Sequence, residues 1–303
     1  MATTKTWDGF YQQLLSESTK KKSERIILVI AIASFIIHLL LIYLSEIGII
    51  HLPGAGGLLK NPIAAIYTPF SFILVYEVYL LLFYLPKSIT TYISKQYEII
   101  TLIIIRRLFK DLSNLSLSDD WFKIKYDLQF TYDLVAAVLM FYLIYQFYKQ
   151  SKVNYKTELK EPLPSSDISR FIRIKKILAA ALVPVLIFVA LYSFINWSIG
   201  VVSPGDPAAV NFENINNIFF EQFFTILIIA DVILLLVSFF YTDEFHKVIR
   251  NSGFIISTIL IRLSFSVTGL LNTLLIVTAI VFGLLILIIH NKFEAKITKD
   301  GMQ

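Results

Sequence analysis

Apolar runs of about twenty residues dominate this sequence, and they constrain it more than any other feature. Residues 26–45, 63–85, 131–148, 177–197, 218–241 and 270–290 are each long enough, as helices, to cross a hydrocarbon layer ~30 Å thick. Two further stretches, 95–112 and 252–268, are shorter and carry arginine. With 56% hydrophobic and 16% charged residues among 303, the chain lies outside the range of soluble domains, and neither disorder nor a collagen repeat fits. The absence of cysteine rules out thiolate chemistry and disulfide staples. The first apolar run is too long for a signal-peptide core and is followed by no small-residue cleavage site.

The two arginine-bearing stretches decide the topology, and the basic residues discriminate between the choices. If both stretches cross, the chain has eight spans with both termini on one side. Twenty of the 27 Lys and Arg residues then share that side, four lie opposite, and three (Arg106, Arg107, Arg262) lie within spans. If neither crosses, segment 149–176 with its eight cations falls on the outer side, against the positive-inside rule. The expectation is an all-α polytopic protein of the cell membrane with eight transmembrane helices and cytoplasmic termini. The net charge of +5 then reflects loops lying beside anionic lipid and calls for no nucleic acid.

An internal repeat organises the spans. Pro53-Gly54 recurs as Pro204-Gly205, EVYLLL (77–82) as DVILLL (231–236), Lys95-Gln96 as Arg250-Asn251, and TLIIIRRLF (101–109) as STILIRLSF (257–265). The offsets between these matches rise in order, as two diverged copies with small insertions require. Each copy holds an even number of spans, so the copies run parallel, related by an axis along the membrane normal. The chain divides into a first four-helix repeat (1–149), a basic linker (150–176) and a second repeat (177–303). Segment 113–130 has no counterpart in the second copy and reads as an external, interfacial piece.

Charges within spans are costly and mark function or internal pairing. Reckoned from third helices that start near Lys95 and Ser252, Glu77 and Arg106 fall at one depth, as do Asp231 and Arg262. Two symmetry-related ion pairs are expected, either burying the arginines or lining an ion route. Asp133 and Glu221 lie near external helix ends and read as solvated charges or as part of an acidic vestibule. His38 reads as a hydrogen-bonded packing residue.

The stretch FILVYEVYLLLFYLPKSITTYISKQYEII (72–100) resembles the second helix, linker and third-helix start of voltage-sensor-type four-helix domains of cation channels. The resemblance places Glu77 and Glu98 at positions comparable to that family's second-helix acid and the acid near its third-helix start, and implies a four-helix bundle. The fourth helix carries no arginine ladder and no TVGYG-type filter follows, so voltage sensing and a potassium pore are not implied.

Catalytic patterns are missing. The four histidines have no HExxH or HxH spacing and no shared depth on facing helices, and there is no GxSxG, Walker or dinucleotide motif. The final span contains no lysine to hold retinal. The sequence therefore predicts a non-enzymatic protein with no cofactor and no metal. Its partners are the lipid bilayer and a small inorganic ion, and a homo-oligomer is compatible. Two functions fit: transport, as an ion channel or an ion- or proton-coupled carrier, or a membrane assembly or signalling module with structural ion pairs.

Overall fold

In a computed structural model, the chain is described over residues 9–49, 62–113, 125–158, 166–202, 212–241, 244–267 and 269–300. The described residues are helical, with no strand among them. The helices are α1 (Glu17–Glu46), α2 (Tyr67–Tyr84), α3 (Ile89–Ser113), α4 (Lys125–Glu158), α5 (Ser166–Val202), α6 (Phe212–Ser238), α7 (Phe245–Ser264) and α8 (Leu270–Asp300). Ser16 caps α1 by accepting from the Thr19 amide at 3.1 Å, with Glu17 in the first turn to complement the helix dipole. Pro86 interrupts the chain between α2 and α3. Gly269, at φ +73°, sits in the left-handed region in the turn before α8. The Pro-Gly pairs of the repeat and residues 114–124 of the interfacial segment lie outside the described residues.

Four helical stretches are long and apolar enough to cross a membrane by length and composition: Gly9–Glu46, Leu128–Lys152, Ser169–Tyr192 and Leu270–Ile297. Their outward faces are rows of large exposed hydrophobics, such as Val29, Ile32 and Ile36 on α1 and Val138, Phe141 and Tyr145 on α4. Such a surface is favourable in lipid and costly in water. α3 and α7 are different: they carry more polar residues, α3 is mostly buried, and α7 buries its polar face while exposing Phe245, Ile249, Ile256 and Leu263. Their buried faces turn into the bundle, where neighbouring helices can satisfy polar side chains.

Neighbours in sequence are neighbours in space: α1 packs on α2, α2 on α3, α3 on α4, and likewise α5 through α8. α4 also packs extensively against α8. Asp133 meets Thr273 near one end of that contact, and Gln150 meets Asn291 near the other. The two helices therefore run side by side in the same direction. At the centre Tyr97, Phe147 and Phe254 join α3, α4 and α7, with ring centroids 5.2 and 5.8 Å apart. Gly283 of α8 lies over Tyr97, where an added Cβ would come within 3.0 Å of Cζ and overlap the hydroxyl. The end that carries the α2–α3 and α6–α7 turns is the hairpin end of the bundle, and the opposite one its far end.

Candidate functional site

The helix starts reset the depth of every charged residue. α3 begins at Ile89 and α7 at Phe245, not near Lys95 and Ser252. At 1.5 Å per residue, Arg106 and Arg262 lie roughly 25 Å from the hairpin end, whereas Glu77 and Asp231 lie roughly 10 Å from it. The expected Glu77–Arg106 and Asp231–Arg262 pairs are thus displaced by about ten residues of helix. Each third helix begins six or seven residues early because its amphipathic first turns are helical too. Glu77 sits in the electrostatic surroundings of Glu98, Lys95 and Glu24. Glu98 accepts from Lys95 Nζ at 2.7 Å and from the Tyr148 hydroxyl. Arg262 donates from Nε to Thr225 Oγ1 at 3.1 Å, and Arg106 is buried in α3.

Asp231 is the buried acid with the most unusual environment. Its side chain comes from α6, and the residue is 4% exposed. One carboxylate oxygen accepts from the Tyr92 hydroxyl at 2.9 Å, and the other from Gln96 Nε2 at 3.1 Å, both on α3. The contact spans 135–139 residues of sequence, so it ties the first half of the chain to the second. Lys175 of α5 acts on Asp231 electrostatically and donates to the Lys87 carbonyl at 2.8 Å. A cavity of about 10 Å³ adjoins the carboxylate, lined by Gln96, Ile100, Leu227, Thr258 and Ile261. That is space for about one water.

Asp133 corrects the reading of a solvated charge, since it is 0% exposed. Arg107, the second of the tandem arginines, binds it bidentately: Nη2 donates at 2.8 Å and Nε completes the fork. Gln129 Nε2 at 3.0 Å and Thr273 Oγ1 at 2.8 Å also donate to it. Arg107 Nη1 donates to Asn272 Oδ1 at 2.7 Å, and Asn272 Nδ2 reaches the Ser264 carbonyl at 2.6 Å. This far-end network joins α3, α4, α7 and α8. In a helix, successive residues point about 100° apart, so two adjacent arginines face different neighbours, and Arg107 is the one turned to α4. The Glu221 side chain lies outside the described residues. His38 contacts Thr68 Oγ1 through Nδ1 at 2.6 Å, linking α1 to α2.

The sequence reading also missed a histidine pair. His246 near the start of α7 and His290 on α8 stack with ring centroids 5.2 Å apart. The turn between α6 and α7 brings residue 246 level with His290, ten residues before α8 ends, so two histidines do share a depth on facing helices. Burial pushes the His246 imidazole below its ordinary pKa, as does the neighbouring His290, while Glu244 and Glu294 oppose the shift. The signal that could have pointed here is His290 and Glu294 at i, i+4, which places both on one helix face.

These features define an all-helical protein with apolar helices suited to a membrane and a polar interior that bridges the two halves of the chain. Compared with protein-family models, with curated proteins and with solved structures, the chain matches none.

Proposed function

We propose that this protein is an integral membrane transport protein for a small inorganic ion, an ion channel or an ion- or proton-coupled carrier. In this reading eight spans form two parallel four-helix halves, with both termini cytoplasmic in the cell membrane. The parallel run of α4 and α8 and the repeated motifs support the halves, and the burial of the polar faces of α3 and α7 supports their crossing despite their charges.

The observation that carries the transport reading is the contrast between two buried acids. Asp133 is neutralised by a guanidinium and capped by further donors, as a structural ion pair in an apolar interior must be. Asp231 instead receives its hydrogen bonds from a phenol and an amide, both neutral, beside a water-sized cavity where the halves meet. Neutral donors stabilise a carboxylate without cancelling its charge, and Lys175, held by the Lys87 carbonyl, acts on it without bonding to it, so such a site favours a proton or a small cation. The Arg107–Asp133 network, which clamps helices of both halves, favours a second reading: a rigid assembly or signalling module.

Flux in proteoliposomes across H⁺, Na⁺, K⁺, Ca²⁺ and Cl⁻ separates the two. Transport predicts flux of at least one ion, and its loss in Asp231→Asn while the variant melts close to the parent. A parent inert to all five ions leaves the assembly reading.

A further inference from the structure

His246, His290 and Glu294 converge at the hairpin end of α7 and α8. Their ligand atoms all lie within 4.8 Å of one another. His290 Nε2 is 3.2 Å and His246 Nε2 is 3.9 Å from Glu294 Oε1. All three side chains are withdrawn from solvent, His290 to 1% exposure. Two imidazoles and a carboxylate are the donor set of many zinc sites, and borderline-soft nitrogen favours first-row transition ions over Mg²⁺ or Ca²⁺. From these residues we infer a binding site for a divalent transition-metal ion, independent of the transport reading.

The geometry is close to what such an ion needs. Zn–N bonds of about 2.0–2.1 Å place tetrahedral ligand atoms roughly 3.3 Å apart, so the cluster has to contract by up to about 1.5 Å at its widest. Glu244 Oε2, 3.3 Å from His246 Nε2 on a half-exposed side chain, is within reach as a fourth ligand, and water is the alternative. The main opposition is Arg250, whose Nη1 lies 2.9 Å from His290 Nε2. That guanidinium now sits as a cation against the same donors, and an incoming ion must displace it. Arg250 also donates to Asn251 Oδ1, at 3.2 Å from Nε and 3.3 Å from Nη2, which offers it a place to stay when it yields the imidazole. Among the described residues, His290 Nδ1 is buried with no hydrogen-bond partner. The guanidinium can only donate, so its contact sets the neutral imidazole as the Nδ1–H tautomer, and Nε2 carries the lone pair that a metal ion would take.

The test is zinc binding to the full-length chain in detergent, freed of any affinity tag, by calorimetry and elemental analysis, with Mg²⁺ as the control. One Zn²⁺ per chain is expected, with a raised melting temperature and little response to Mg²⁺. His246→Ala and Glu294→Gln should each weaken zinc at least about tenfold, the low end of what even an outer partner is worth to a metal site. Arg250→Gln should tighten it. Unchanged affinity in both ligand variants, or zinc binding no stronger than magnesium, overturns the site. Zinc X-ray absorption on the parent covers variants that do not fold. Two imidazoles in the first shell support the site, and a shell without imidazole refutes it.

Discussion

At the scale of single residues, the fate of an acid follows from what its helix neighbours can donate. Asp133 and Asp231 are both buried, yet the first faces an arginine and the second a tyrosine and a glutamine. Removing the charge of Asp133 by Asp133→Asn leaves Arg107, part-exposed and still bonded to Asn272, without its counter-charge and should cost about 1–3 kcal/mol, read from thermal or chemical unfolding. Adding Arg107→Met to that variant should recover much of the loss. A double variant no more stable than the single one contradicts this account. Tyr92→Phe deletes one donor to a buried carboxylate and should destabilise by about 1–3 kcal/mol in the same assay. The sequence exposed Asp231 as an intramembrane acid but not its partners, because those lie 135–139 residues away on another helix.

At the scale of helices, the decisive elements are the two least apolar ones. α3 and α7 turn their polar faces inward because these find partners inside the bundle, as where Tyr97 and Ser257 share a hydrogen bond of 2.7 Å. Ser257 also donates to the Ala279 carbonyl of α8 at 2.7 Å. This close approach requires a residue without Cβ at position 283. Gly283→Ala should overpack the junction by about 1–3 kcal/mol, and Tyr97→Phe in the same chain should return part of that by removing the overlapped hydroxyl. A double-mutant cycle with no coupling between the two positions contradicts the contact. Hydrophobic runs made the outer helices legible. The starts of α3 and α7 were not, because an amphipathic turn next to a loop looks polar until its packing face is known.

At the scale of the molecule, the proposed eight-span topology places the α4–α5 segment on the same side as the termini. The chain has no native cysteine, so single cysteines report cleanly. Lys152→Cys and Phe240→Cys should react with an impermeant thiol reagent only from the cytoplasmic side, and Leu112→Cys only from outside. Labelling of Lys152→Cys from outside reduces the spans to six and removes the parallel repeat. The same geometry puts the Asp231 cavity and the histidine cluster nearer the cytoplasm than the Arg107–Asp133 clamp.

Apolar run length, charge bias and motif order are local or additive properties, so the sequence alone determined an all-helical chain with membrane-length apolar segments. It also marked the residues too expensive to bury without purpose: Glu77, Arg106, Asp231 and Arg262. Which of them meet was decided only by tertiary structure, because a shift of six or seven residues in a helix start moves a side chain by about 10 Å along the axis. That displacement exchanged two expected ion pairs for the Arg107–Asp133 clamp and the Asp231–Tyr92–Gln96 contact. It was again the fold, through the short turn into α7, that set His246 against His290. Forty-four residues separate them in the chain, and no spacing rule joins them there.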